Sequence, residues 1–357
     1  MTAALAPEAR VLLVRMGALG DIVHALPVVA ALRRARPDVE VDWLVDARYE
    51  GILALVEGLS RRIVVRAAAR EDDGATVRFP GLTGLAGAVG FLRRRGYAAA
   101  IDLQGLLKSS VFARLSGARR VVGFERSALR EPAARWFHSE QVTVDDRGHV
   151  VSKNLAALAA LGVTAAGVEF PWASAPSAVV GEVTASVRLH DGAGFALLNP
   201  GAAWENKRWP PERFGRLAAA LAERHRLVSI VTWGPGERER AEAVAAASGG
   251  HALVSPPTTL ADVLALARAA ALCVSGDTGP LHLAASVGTP LVGLFGPTRP
   301  ERNGPWRPED VSVSRAGTCV CFHKRRCLRG VPCIEDIDVD EVLAACTRRL
   351  ERAGVTP

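Results

Sequence analysis

Short apolar runs alternating with longer amphipathic ones constrain this chain more than any other feature. Residues 11–15, VLLVR, form a buried-strand pattern, and an amphipathic helix over 21–36 stops near Pro37. A strand at 40–45, a helix at 85–95, a strand at 98–103 and a helix at 106–115 follow. This β-α-β-α order predicts a parallel sheet covered by helices. The second half repeats it, with strands at 195–199, 227–233, 272–275 and 291–295 and helices at 211–225, 237–248, 259–270 and 280–287. The fold class is therefore α/β, with two doubly wound domains. The polar segment 70–83 reads as a long loop. The segment 170–194, with two prolines and mixed small residues, reads as the linker region. The expected domains are 1–175 and 176–337, with a C-terminal helix in 338–357 that packs back toward the N-terminal domain. A chain of 357 residues fits two domains at roughly 100–200 residues each.

Composition narrows the classes. With 49% hydrophobic and 23% charged residues, the chain is folded over most of its length. No apolar run approaches the roughly 20 residues that span a bilayer. The N-terminus, MTAALAPEARVLLVR, lacks a basic region followed by an apolar core, so no secretory signal is read and a cytoplasmic location is expected. The formal charge of +7 suits anionic partners. Abundant Ala, Gly and Arg suggest a GC-rich genome, so most arginines need no functional reading. Lysines are scarce (Lys108, Lys153, Lys207 and Lys324), and ammonium and guanidinium are not interchangeable at a tight site. Arg61, Arg62, Arg93, Arg94 and Arg95 suit either a solvated face or an anionic leaflet. Four of six cysteines crowd into CVCFHKRRCLRGVPC: Cys319, Cys321, Cys327 and Cys333. Their C-x-C-x5-C-x5-C spacing differs from paired C-x2-C knuckles, so a Cys-bearing surface loop is the first reading and a structural metal the second.

Open parallel sheets bind ligands beyond the carboxyl ends of their strands, so strand-end loops carry the functional reading. The first, RMGALGDIVH, has glycines for close backbone approach and Asp21 at a helix start, where Asp either caps the helix or serves chemistry. Gly17 and Gly20 do not supply G-x-G-x-x-G, which disfavours an NAD-linked oxidoreductase. The second, DLQGLLKS, offers Gln104 and Lys108. The third, NPGAAWENKRWP, sets Lys207 beside a glycine turn and a helix start, an arrangement that holds phosphate oxygens. The fourth, WGPGE, sets Glu237 where it either accepts from ribose hydroxyls or offsets a helix dipole. The fifth, SGDTGPLHLAA, ends a strand in small and hydroxylic residues and opens a helix whose first N–H groups are unpaired. Asp277 and Thr278 cap that helix or serve a diphosphate cradle.

Together these loops resemble glycosyltransferase family 9, the heptosyltransferases, over nearly the whole chain. The carriers are MGALGDIVHALP, IDLQGLLKS, ALREPAARWF, NPGAAWENKRWP, SGDTGPLHLAA and GLFGPTRPERNGPW. The resemblance implies a GT-B fold of two Rossmann-like domains facing a central cleft. It also implies inverting transfer of heptose from ADP-heptose to the Kdo-bearing inner core of a lipopolysaccharide precursor, closest to the first heptosyltransferase. The Cys-containing tail looks more like the second. Matched residue by residue, the resemblance makes Asp21 the general base. It puts Lys207, Glu237, Asp277, Thr278, Gly279 and His282 on the donor, and Gly20, His24, Gln104, Lys108 and Arg130 on the acceptor. Ala202 and Ala203 depart from the first heptosyltransferase, which carries hydroxyl residues there. No cofactor and no essential divalent metal are implied. The partners implied are an ADP-sugar, an anionic lipid-linked saccharide and transient contact with the cytoplasmic face of the inner membrane. The remaining readings are a GT-B transferase using UDP- or GDP-sugar and a non-catalytic nucleotide- or nucleic-acid-binding protein. The 5% aromatic content and the lack of basic motifs interleaved with aromatics speak against nucleic acid.

Overall fold

A computed structural model of the chain describes residues 5–67, 75–81, 84–174, 176–190, 193–321 and 324–354. The chain divides into two compact units, Met1–Ser174 and Ala175–Pro357.

The first unit is built on strands β1 (Arg10–Val14), β2 (Glu40–Asp46), β3 (Arg61–Ala67), β4 (Thr76–Pro80), β5 (Ala99–Asp102), β6 (Arg120–Phe124) and β7 (Glu140–Val142). They form one sheet in the order β4-β3-β2-β1-β5-β6-β7, with every pairing parallel. The central strands are apolar runs because helices cover both faces of a parallel sheet. Val11, Leu12, Leu13 and Val14 are accordingly fully buried. The second unit carries β8 (Gly194–Asn199), β9 (Leu227–Val231), β10 (Ala252–Val254), β11 (Leu272–Gly276), β12 (Leu291–Phe295) and β13 (Val311–Ser314). Their order is β10-β9-β8-β11-β12-β13, again all parallel. In each sheet the chain first winds outward from one strand and then returns to the other side of it. The reversal falls between β1 and β5 in one unit and between β8 and β11 in the other. Side chains at these two points have room to meet a ligand beyond the strand ends.

Several expectations are corrected. The helix expected over 21–36 is two helices, Leu19–Val23 and Leu26–Ala35. Pro27 has no N–H to give to the carbonyl of residue 23, so the first helix cannot run on. The expected loop 70–83 contains β4, while 70–74, 82 and 83 lie outside the described residues. Its polar look suits an edge strand: Arg78 donates to Glu50 at 2.8 Å. The expected linker 170–194 contains the helix Ala178–Leu189, which buries Val183 and Val187 against β8 and β9 side chains. Arg95, considered for a membrane-facing surface, is mostly buried and binds Glu40 and Asp42.

The last helix, Val339–Arg352, is also corrected. It was expected to return to the first domain. Instead its Val342, Leu343, Ala345, Cys346 and Leu350 are part of the second unit's core, with Trp209, Phe214 and Leu294. One buried ion pair fixes it: Arg349 Nε lies 2.6 Å from Asp310 Oδ1, with both side chains at most 5% exposed. The same oxygen accepts the N–H of Leu291 at the start of β12. Removing one member of such a pair leaves a buried charge alone, at about 3–5 kcal/mol. Arg349→Met is therefore expected to lower the unfolding free energy by that amount in urea titrations, whereas the exposed Arg352→Ala changes it by less than about 0.5 kcal/mol. Equal small effects would contradict this role for the pair.

Candidate active site

In the first unit the β1 and β5 loops are laced together across the reversal point. The N–H of Met16 donates to Gln104 Oε1 at 2.8 Å. The buried Arg15 guanidinium donates to the carbonyl of Leu103 and lies 2.8 Å from Asp21 Oδ1. Asp21 stands in the first turn of Leu19–Val23, 41% exposed, and its second oxygen accepts the N–H of Ala18 at 3.3 Å. A half-exposed carboxylate with one oxygen tied to a guanidinium is both oriented and open to a substrate. Gly20 lies in the same helix and its carbonyl caps the N–H of His24. His24 itself is buried, with its ring edge-on to His149 at 5.5 Å and its carbonyl bonded to Asn154. The resemblance puts His24 on the acceptor; the structure packs its ring against His149. Lys108 is half-exposed, 3.9 Å from the buried Asp46, which also binds Arg48 and Arg66. Partial burial and the two neighbouring guanidiniums lower the Lys108 pKa. Three cations thus share one carboxylate. Arg130 is exposed, beside the Gly105 turn.

Sequence reasoning missed what holds this loop. Asp102, at the end of β5, is fully buried. Its Oδ1 accepts the N–H groups of Gln104 and Gly105, and its Oδ2 lies 2.7 Å from Ser110 Oγ and 3.1 Å from His138 Nε2. Burial alone would raise its pKa, but His138, Ser110 and the Gly105 N–H outweigh that and hold it low. A charged residue ending an apolar strand was the available signal.

In the second unit the β8 and β11 loops meet in the same way. Asn199, buried at the end of β8, directs its amide nitrogen to the Gly201 carbonyl, Ser275 Oγ and Thr278 Oγ1 at 3.1–3.2 Å. Thr278 is the cap residue of the helix Gly279–Val287, whose first N–H groups follow it. Asp277 is 5% exposed. Its Oδ2 is 2.6 Å from Lys207 Nζ and its Oδ1 is 3.2 Å from His282 Nε2. Burial works against the charge, yet His282 and Lys207 win and hold the carboxyl far below the ordinary carboxylate range. The resemblance sets Asp277 on the donor; its carboxylate lies against Lys207 and His282 and orients both. Lys207 also lies 4.7 Å from the centre of the Trp204 ring. Its turn approaches the end of β11 so closely that a β-carbon on Gly276 would stand 2.7 Å from the Lys207 carbonyl. Glu237 accepts the N–H of Gly234 at 3.1 Å, and its carboxylate lies over Gly201, where a β-carbon would meet it at 2.2 Å.

Two loops of this unit thus present a lysine, a helix start and a carboxylate at one strand-reversal point, the elements of a nucleoside-diphosphate subsite. The glycosyltransferase family 9 (heptosyltransferase) model matches residues 90–331. The chain belongs to glycosyltransferase family 9. Lipopolysaccharide heptosyltransferase 1 of Pseudomonas aeruginosa is 31% identical over 330 residues, covering 89% of this chain and 87% of that one. The E. coli heptosyltransferase WaaC solved with ADP superposes with a TM-score of 0.67 at 22% identity, over 96% of this chain and 99% of that one. WaaC solved with ADP-2-deoxy-2-fluoro heptose gives 0.65 at 23%, over 88% and 96%. The family 9 chain is therefore a glycosyltransferase with the two-domain GT-B architecture, and the NAD-linked and non-catalytic readings are set aside. No helix among its described residues is long and apolar enough to cross a membrane.

The Asp277 pair gives a signed pH prediction. Its native pKa lies below the ordinary 3.8. The stability it contributes is therefore present above about pH 4 and lost as pH falls through the native value. Asp277→Asn is expected to be less stable than the wild type at pH 7, with the gap narrowing below about pH 4. Urea unfolding at a series of pH values measures this, and a gap independent of pH would contradict it.

Proposed function

We propose that this glycosyltransferase moves heptose, with inversion, from ADP-heptose to the Kdo-bearing inner core of a lipopolysaccharide precursor. The observation that carries the reading is the Lys207–Asp277–His282 group beside the first turn of Gly279–Val287. The P. aeruginosa relative carries the heptosyltransferase name and supports the choice of sugar.

The acceptor hydroxyl is a poor nucleophile near neutral pH. In this reading Asp21 takes its proton as it attacks the anomeric carbon, an effect typically worth about 10²–10⁴-fold. Arg15 keeps that carboxylate aimed. The anomeric carbon gains oxocarbenium character as its bond to the diphosphate breaks. Negative charge then grows on the β-phosphate. Lys207 and the N–H groups at the start of Gly279–Val287 are already in place to take it, which is electrostatic preorganisation. The transfer as proposed needs no metal or cofactor. Glu237 is read as the acceptor for ribose hydroxyls. Lys108, with Arg48 and Arg66, offers the positive field an anionic saccharide needs, and Arg130 is read on the same substrate. A lipid-linked acceptor implies work at the cytoplasmic face of the inner membrane, through the basic surface.

The test is a transfer assay with ADP-heptose and a Kdo-bearing lipid A acceptor, read by mass spectrometry. Product from ADP-heptose and none from UDP- or GDP-sugars is the expected result; the reverse would overturn the donor assignment. Asp21→Asn is expected to lower kcat by about 10²–10⁴-fold with the donor KM nearly unchanged. A variant that kept most of its kcat would remove Asp21 from the chemistry. Lys108→Ala is expected to raise the acceptor KM and leave the donor KM alone.

A further inference from the structure

The loop between β13 and the last helix reaches the second unit's core only at its end, through Ile334 and Ile337. Val320, Leu328 and Val331 are 64%, 71% and 52% exposed. Among the described residues of 315–337 the only helical elements are the short 3-10 turns Ala316–Thr318 and Cys333–Asp336. A stretch this poor in buried apolar surface needs another tether. Before Ile334 its most buried described side chains are thiols: Cys321 is fully buried and Cys333 is 1% exposed.

The four sulfurs form two pairs although they span fifteen positions. Cys321 Sγ lies 3.4 Å from Cys327 Sγ, and Cys333 is in hydrogen-bond contact with Cys319. Backbone amides are aimed at them: Leu328 N–H donates to Cys321 Sγ at 2.6 Å, and Arg329 N–H to Cys327. Lys324, Arg325, Arg326 and Arg329 stand in the same run.

We propose that Cys319, Cys321, Cys327 and Cys333 bind one divalent thiophilic cation, zinc or iron(II), as a tetrathiolate. On binding, the four thiols release four protons to solvent, and four thiolates with one dication leave a net charge of −2. The neighbouring basic side chains and the two aimed amides offset it. A tetrahedral site with metal–sulfur bonds near 2.3 Å sets its sulfurs about 3.8 Å apart, close to the Cys321–Cys327 spacing. Among the described residues no three ligand side chains already ring one point, so the ion draws the two sulfur pairs together, coupling binding to loop folding.

The site has a consequence for the donor subsite. Asn206 donates to the carbonyl of Lys324 at 2.8 Å, and the Arg325 guanidinium lies 5.8 Å from the Trp204 ring that also faces Lys207. The closed loop therefore buttresses the turn carrying Lys207. This last step rests on the proposed donor reading; the metal site does not.

The experiment is metal analysis of the full chain, purified without chelator and dialysed, by inductively coupled plasma mass spectrometry. About one zinc or iron per chain is expected, and the element found separates the two. Cobalt(II) exchanged into the same protein is expected to show thiolate-to-cobalt charge transfer and tetrahedral d–d bands. Cys327→Ser and Cys319→Ser are expected to lose the metal. If those variants fail to fold, the wild-type stoichiometry and cobalt spectrum still decide. Metal far below one per chain with four titratable thiols, or two disulfides in place of metal, would overturn the proposal. A stoichiometric metal whose removal leaves the donor KM unchanged would keep the site and remove only the buttress.

Discussion

Asp277 is a carboxylate that the fold has taken out of water, and the second unit's functional end is organised around the need to neutralise it. Lys207 supplies the charge and His282 a hydrogen bond, from different parts of the chain. Lys207 comes from the turn before the helix Pro211–His225, and His282 from the helix that follows β11. Each oxygen of Asp277 takes one partner, so both side chains are oriented as well as paired. The approach is possible because Gly276 leaves room for the backbone of the Lys207 turn. A lysine pinned at its amine keeps little rotamer freedom to lose when a phosphate arrives, which is the physical content of preorganisation.

The first unit uses the same device with different chemistry. Asp102 ends β5, as Asp277 follows β11, and both strands lie just across the reversal point of their sheets. Asp102 is also buried against a histidine, His138. Where Asp277 holds a lysine, Asp102 holds backbone: the N–H groups of Gln104 and Gly105. Gln104 then fixes Met16, and with Arg15 this sets the loop from which Asp21 projects. In both units a buried Asp–His pair stiffens a strand-end loop so that a more exposed residue, Asp21 or Lys207, is presented.

Much of this was legible in the sequence because it is local. Apolar runs such as VLLVR and LVSIV dictated strands, and the glycine-bearing loops after them fixed where ligands belong. Asp21, Lys207 and Glu237 stand on those loops. What was not legible is nonlocal or edge-like. His138 lies 36 residues from Asp102, and nothing in the spacing pairs them. The edge strand β4 carries arginine and proline because one side needs no partner, so it read as loop. The last helix showed its apolar stripe but not which unit would receive it; Trp209, Phe214 and the Asp310–Arg349 pair decided that. That Asp277 faces Lys207 was not legible for the same reason: the motif shows only a carboxylate at a helix start.

The central claim is that Asp277 acts on the donor through Lys207. A double-mutant cycle on ADP affinity, measured by isothermal titration calorimetry with wild type, Lys207→Ala, Asp277→Asn and the double variant, tests it most directly. Each single change is expected to weaken ADP by roughly 10–100-fold, the range of a charged hydrogen bond. The double variant is expected to lose little more than either single one, a coupling of about 0.5–3 kcal/mol. Strictly additive losses, or ADP affinity unchanged without Lys207, would contradict the account.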